Sequence, residues 1–419
     1  MISRSVLIRK FALTRLKNTV LLFVLINVSC VSVFKQKKEP VLINEDDTSA
    51  IISKEMKTGA ENTSSYLNLL RNKKVGVVSN QTGIISNSTN EISHLVDFLI
   101  SNNINVTKIY APEHGFRGTA DAGELIKDGK DTKTNLPIIS LYGNNKKPNA
   151  EQLQDVDILV FDLQDVGARF YTYISSLHYV MEACAENNMQ LIVLDRPNPN
   201  GSIVDGPILE KEHISFVGMH EIPVLHGMTI GEYATMINGE KWLKENLSCD
   251  LTVIKCLNYK RNMFYSLPVR PSPNLPNDQS INLYASLCLF EGTTISVGRG
   301  TENQFQIYGS PNLPPSNFSF TPKPNLGAKD PLYNGKVCYG EDLTKIEFVN
   351  QLELKWLLKA YNDSENKAVF FNSFFLKLAG TKKLQEQIEE GLTENEIRKS
   401  WRKGLNEFKH TRKKYLIYN

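Results

Sequence analysis

From about residue 66 onward, short apolar and β-branched runs alternate with stretches whose apolar residues recur at helical spacing. Lys74–Ser79 (KVGVVS) reads as a buried strand, and Glu91–Asn102 as a helix with Ile92, Leu95, Val96 and Leu99 on one face. Val106–Tyr110, Pro137–Tyr142, Val156–Leu163 and Leu191–Asp195 are further predicted strands, and Tyr173–Asn187 is a predicted helix. Strands that are apolar along their whole length and separated by helices predict an α/β fold, with a mostly parallel sheet covered on both faces. Thr229 is the expected N-cap of a helix running to about Leu247. Leu251–Cys256 follows as a strand, Ile281–Leu289 as a helix and Thr293–Val297 as a last strand. The segment from about 304 to 330 is rich in Pro and Asn and reads as a crossing. Leu343–Tyr361, Phe370–Leu378 and Thr393–Tyr415 beyond it predict a smaller, mixed C-terminal domain. The expected division is a catalytic domain over 66–303 and a smaller α+β domain over 304–419.

The first 65 residues follow a different pattern. Arg4, Arg9, Lys10, Arg15 and Lys17 precede one short apolar run, Thr19–Val28, as in a secretory signal peptide over 1–29. The run ends in Val28-Ser29-Cys30, which resembles a bacterial lipobox with Asn27 at a position where Leu is usual; lipidation at Cys30 would make an exported lipoprotein. An uncleaved anchor helix and a plain secretory signal are the alternatives, and each exports the chain to the periplasm or cell envelope. Residues 30–65 are polar and aperiodic, a flexible tether.

The formal charge of +3 depends on that leader. Without residues 1–29, 43 Lys and Arg remain against 45 Asp and Glu, a balance that does not favour nucleic acid. The only membrane contact expected is the lipid anchor. Cys184, Cys249, Cys256, Cys288 and Cys338 form no Cys-x-x-Cys pair, so they read as small buried hydrophobes with room for one bridge in an oxidising compartment.

Polar clusters fall after the predicted strands, where open α/β sheets bind ligands. They are Asn80–Gly83, Ala111–Gly118 with Asp121–Glu124, Asp162–Tyr171, Asp195–Gly201 and Gly298–Asn303. No dinucleotide fingerprint, phosphate loop or Gly-x-Ser-x-Gly elbow occurs among them. His114, His220 and His226 with Asp162, Asp165 or Asp195 offer metal ligands without metal-site spacing, so no cofactor and no metal are expected. Paired carboxylates on Gly-rich loops fit glycoside hydrolysis: one protonates the leaving oxygen, and a second group activates water, attacks the anomeric carbon or supports a substrate acetamide. Glu113 and Glu124 are the candidates. Pairing of Glu113 with Arg117 and capping of a helix by Glu124 explain the same residues without catalysis.

Eight strings in register carry a resemblance: VGVVSNQTG (75–83), APEHGFRGTADAGE (111–124), LPIISLYG (136–143), VFDLQDVGARFYTYISSL (160–177), LDRPNPNGSIVDGPILE (194–210), PVLHGMTIGEYA (223–234), PSPNLP (271–276) and EGTTISVGRGT (291–301). With LAGT (378–381) and KKYLIY (413–418) they resemble the exo-β-N-acetylmuramidase family of bacterial glycoside hydrolases, formerly a domain of unknown function, over residues 70–418. The resemblance implies a Rossmann-like domain, a smaller C-terminal domain and a cleft between them. It implies release of terminal N-acetylmuramic acid from the non-reducing end of peptide-free peptidoglycan fragments, in cell-wall recycling. It places the catalytic acid at Glu113. The chain departs from the family at Val269-Arg270, where Trp is usual, and at Gln304-Phe305, where Pro-Phe is frequent.

A muramic acid carries a lactyl carboxylate, which the planar fork of an arginine fits. Arg117, Arg169 and Arg299 are candidates, each with a rival ion-pair explanation through Asp121, Asp165 or Glu302. Tyr171 and Phe116 are candidate sugar platforms or core residues. Asn80, Asp165, Asp195, Arg196, Asn198, Asn200 and Glu302 are candidate polar contacts, and His114 and His226 candidate partners of the acid. Two other functions fit the loops: a metal-dependent amidohydrolase, and a non-catalytic muropeptide-binding envelope lipoprotein.

Overall fold

The sheet predicted by the apolar runs is present. A computed structural model describes residues 55–86, 91–116 and 128–419; the signal peptide, Cys30 and most of the tether lie outside the described residues. After a short helix α1 (Leu67–Leu70), the first half contains β1 (Lys74–Ser79), β2 (Ile84–Ser86), β3 (Ile92–His94), α2 (Leu95–Ser101), β4 (Asn105–Ala111), β5 (Gly129–Lys130), β6 (Pro137–Ser140), α3 (Ala150–Leu153) and β7 (Ile158–Asp162). Then come α4 (Tyr173–Glu186), β8 (Gln190–Leu194), α5 (Ile230–Gly239), β9 (Asp250–Ile254) and α6 (Asp278–Leu287).

The strands order as β5-β6-β4-β1-β7-β8-β9, parallel except for β5 at the edge. The six parallel strands therefore have the Rossmann order, which reverses direction at β1 and opens a crevice at the carboxyl ends of its neighbours. β7 is buried at every residue, and β1 and β8 at all but the first. That is why these strands have no polar alternation. The capping box at Thr229 and Glu232 starts α5 as its sequence predicts, although the helix ends at Gly239.

The C-terminal part holds β10 (Ile307–Ser310), β11 (Ser319–Phe320) and β12 (Cys338–Asp342) in an antiparallel sheet of order β10-β12-β11. Helices α7 (Lys355–Asp363), α8 (Phe374–Ala379), α9 (Lys383–Glu389) and α10 (Glu394–Lys413) complete the smaller α+β domain. α10 buries Ile397, Trp401, Leu405 and Phe408, one helical stripe, onto a core continuous with that of the sheet domain. Among the described residues no helix is long and apolar enough to cross a membrane.

Two elements differ from the sequence pattern. Thr293–Val297 does not join the large sheet; Thr293 bridges Phe371 and Ser296 bridges Gly309, so its β-branched run pairs with the C-terminal part. The predicted helix over 91–102 begins only at Leu95. Ile92 is exposed and sits in a hairpin with β2, and His94 caps the helix by accepting from the Val96 amide at 3.2 Å. All five described cysteines are buried and free.

The end of the chain is tied to the sheet. Asp195, just after β8, accepts from the Tyr418 hydroxyl (2.6 Å), the Thr229 hydroxyl (2.8 Å) and the Gly231 amide (2.8 Å). Burial pushes this carboxyl up to about 6, against the opposite pull of those donors. An unfolded-chain Asp titrates near ~3.9, so the native state keeps its proton to higher pH. The contribution of this group to stability is therefore complete below about pH 4 and falls by about 3 kcal/mol as pH rises through 6. In urea titrations between pH 4 and 7, Asp195→Asn is expected to lose that share of the decline. An identical slope in the variant would assign the decline to other groups.

Candidate active site

The loop after β4 is held in an unusual conformation. His114 (φ 71°) and Gly115 (φ 74°) are both left-handed, and the Gly115 amide bonds back to the Pro112 carbonyl at 3.0 Å. A non-glycine residue in that region carries strain of about 1–3 kcal/mol, which the surrounding structure must support. The turn presents Glu113 half-buried into a cavity of about 350 Å³. Tyr142, past the end of β6, donates its hydroxyl to Glu113 Oε1 at 3.0 Å. Thr172, between β7 and α4, donates to Oε2 at 2.7 Å. The carboxyl is thus gripped from loops that follow strands on either side of β1, at the crevice that the strand order creates.

Beneath it, Asn80 after β1 donates to the Tyr173 hydroxyl at 2.6 Å, and Tyr171 donates to the Pro271 carbonyl at 2.8 Å. Tyr171, Tyr173 and Tyr284 pack edge to face. Phe216, stacked on Tyr179, forms part of another wall, with Ser272 and Asn274 between. The remaining wall brings in Glu291, Arg299 and Phe305, with Phe374 and Leu378 of α8 from the C-terminal domain. Arg299 Nε donates to Glu291 Oε1 at 2.6 Å, and the guanidinium lies 5.1 Å from the Phe305 ring centre.

Of the residues singled out by sequence, Glu113, His114, Tyr171 and Arg299 line the cavity, and Asn80 supports its floor. Glu124 and Arg117 lie outside the described residues. The other candidates do not line this cavity and bond within the protein instead. Arg196 is a buried fork to Asp162, with Nε–Oδ1 2.6 Å and Nη2–Oδ2 3.0 Å. Asn198 accepts from the Asn200 amide and donates to the Met228 carbonyl, while Asn200 donates to the Val166 and Ile281 carbonyls. Asp165 accepts from the Gly167 amide, and its Oδ2 lies 3.7 Å from His226 Nε2, both side chains buried away from the cavity. Asp195 caps α5, as described above. Arg169 is fully buried and donates to four carbonyls, those of Pro207, Ile222, Leu378 and Ala379. Glu302 is exposed, and the partner of Arg299 is Glu291 instead. Phe116 is buried and packs edge-on against His94.

Sequence reasoning missed Tyr142, Thr172, Tyr284 and Glu291. Tyr142, Thr172 and Glu291 stand inside the family strings, so position alone could have drawn attention to them. The candidate histidine–aspartate metal sets do not converge. Among the described residues the one cluster with metal-ligand spacing is Glu210, Glu212 and His213, where Glu210 already bonds Thr381 and Lys383.

A Rossmann-order sheet, a smaller α+β domain and a carboxyl facing a cavity of about 350 Å³ define a two-domain α/β protein with an enzyme-like cleft. Models of the exo-β-N-acetylmuramidase NamZ family match residues 75–279 (N-terminal) and 282–418 (C-terminal). The chain belongs to this family of glycoside hydrolases. It is 40% identical to the peptidoglycan β-N-acetylmuramidase NamZ of Bacillus subtilis (strain 168), over 84% of this chain and 89% of that one. Crystal structures of two DUF1343 family proteins from Bacteroides fragilis NCTC 9343 are similar. One has a TM-score of 0.81 at 44% identity, the other 0.72 at 30%, each covering 87% of this chain and 99% of its own.

Proposed function

We propose that the chain removes terminal N-acetylmuramic acid from the non-reducing end of peptide-free peptidoglycan fragments, with Glu113 as the acid. The observation that carries this reading is the grip of Tyr142 and Thr172 on a carboxyl facing a cavity of about 350 Å³. That volume lies at the small end of the ~300–1,000 Å³ range of ligand pockets. It suits one sugar ring rather than a run of them, which favours exo action.

In the reaction Glu113 gives its proton to the glycosidic oxygen as the bond from that oxygen to the anomeric carbon breaks. Water supplies the hydroxyl that the anomeric carbon gains, directly or by way of a second group, and the proton that returns to the enzyme. The Tyr142 and Thr172 hydroxyls hold both carboxyl oxygens, so the acid is oriented before substrate arrives. For the second catalytic group we retain Glu124, eleven residues after Glu113. The basic, then apolar leader ending at Cys30 supports export and a lipid anchor, which would bring the enzyme to wall fragments in the cell envelope.

Incubation with a disaccharide carrying non-reducing N-acetylmuramic acid is expected to release the free sugar. A folded protein that releases none would refute the reading. Thr172→Val removes one of the two hydroxyl donors and is expected to lower kcat/KM on that disaccharide about tenfold, through misorientation of the acid. Its circular dichroism should match that of the parent. Wild-type turnover in this variant would show that the contact is dispensable.

A further inference from the structure

The cavity is lined by a cation whose outer edge meets no acceptor among the described residues. Arg299 is engaged through Nε by Glu291, yet no described group accepts from either of its terminal nitrogens. By contrast, the fully buried Arg169 gives both terminal nitrogens to carbonyls, and the part-buried Arg261 and Arg398 give theirs to carboxylates and carbonyls. The Arg299 side chain is 25% exposed, so the open edge faces the cavity rather than a packed interior.

The guanidinium is also fixed in place. Gly298 (φ 77°) and Gly300 (φ 79°) flank Arg299, and a Cβ at either would collide, with Ile307 at 2.5 Å or the Lys323 carbonyl at 2.7 Å. Thr301 closes the turn by donating its amide (3.0 Å) and hydroxyl (2.7 Å) to the Gly298 carbonyl. Burial pulls the Arg299 pKa down, but Glu291 more than offsets this, so it remains charged. A partly exposed ion pair contributes little stability, so folding alone gives small reason for such a rigid mount. A planar cation held rigid with one edge open suits a planar anion, and a carboxylate best of all.

We propose that Arg299, positioned by Glu291, binds the free lactyl carboxylate of the terminal muramic acid and so makes the enzyme select sugars in which that group is unblocked. This rests on the muramidase reading above. N-acetylglucosamine lacks the group altogether. A fragment whose lactyl group is amide-bonded to a stem peptide offers a neutral, bulkier group with one acceptor oxygen. The clamp thus accounts in physical terms for a preference for peptide-free fragments.

The test compares 4-nitrophenyl β-glycosides of N-acetylmuramic acid and of its lactyl methylamide. The parent enzyme should favour the free acid by on the order of 100-fold in kcat/KM, the effect of two charge-assisted hydrogen bonds. In Arg299→Gln that preference should fall at least tenfold, and Arg299→Lys, with charge but no fork, should lie between the two. Should the Gln variant not fold, the Lys variant must show the fall alone. Glu291→Gln should raise KM for the free acid more than for the methylamide; equal rises would remove Glu291 from the clamp. A parent enzyme that cleaves both glycosides equally well, or a variant that keeps the parental preference, overturns the proposal while leaving the muramidase reading intact. A parent that cleaves neither overturns both.

Discussion

Glu113→Gln is expected to reduce release of N-acetylmuramic acid from a disaccharide by about 10²–10⁴-fold, the usual contribution of a positioned acid. The substitution is nearly isosteric. The Gln carbonyl can still accept from one of the two hydroxyls, and the other hydroxyl can turn to accept from the new amide. Folding and sugar affinity should therefore survive, and isothermal titration with the free sugar checks this. The choice of substrate makes the experiment specific. A sugar leaving group needs a proton badly, whereas 4-nitrophenolate leaves readily without one, so the aryl glycoside should lose far less rate. A variant that loses both substrates equally would point to a role in binding or shape. One that keeps the disaccharide rate to within tenfold would remove Glu113 from the chemistry.

The fold was legible wherever burial leaves a one-dimensional trace. β1, β7 and β8 lie inside the sheet and read as near-continuous apolar runs, because both faces of each are covered. Thr293–Val297 has the same β-branched composition but no place in that sheet. Its partners, Phe371 and Gly309, come from elsewhere in the chain, and no local pattern encodes them. Ile92 misled for a related reason. It fits the helical spacing of Leu95 and Leu99, but the His94 cap starts the helix after it.

The site divides along another physical line. Glu113, His114, Tyr171 and Arg299 were visible as unusual residues on loops that follow strands, and they do line the cavity. Asp195, Arg196, Asn198 and Asn200 carry the same kinds of polar groups on the same edge of the sheet, yet all are consumed in closing loops and capping α5. The hydrogen-bonding groups that bind sugars are those that satisfy buried loop backbone, so composition cannot separate the two uses. Partner geometry can. Arg196 meets a buried carboxylate with its fork, whereas among the described residues none accepts from the outer edge of Arg299.

Arg169 makes the same distinction measurable. It follows β7 in a loop rich in family residues, and by type it suited a ligand carboxylate. The structure places it instead at the end of α8, donating to the Leu378 and Ala379 carbonyls from one side and to those of Pro207 and Ile222 from the other. Gly380 ends that helix with φ 73°, and a Cβ there would lie 2.6 Å from Arg169 Nη2, so the cap and the cation are fitted to each other. Burial draws the guanidinium down to about 9, with no carboxylate to offset it. Arg169→Met fills much of the same volume but leaves buried carbonyls without donors, each costing about 1–3 kcal/mol. Relief of the buried charge offsets part of that, and the expected net loss is about 3–5 kcal/mol. Against a typical domain stability of ~5–15 kcal/mol, urea titration should detect it as a large drop in midpoint at unchanged slope. Arg169→Lys should also be destabilised, since one ammonium has three donors for four acceptors. A methionine variant that unfolds at the parental urea concentration but binds the sugar weakly would return Arg169 to the substrate site, and the carbonyl cage would then need another explanation.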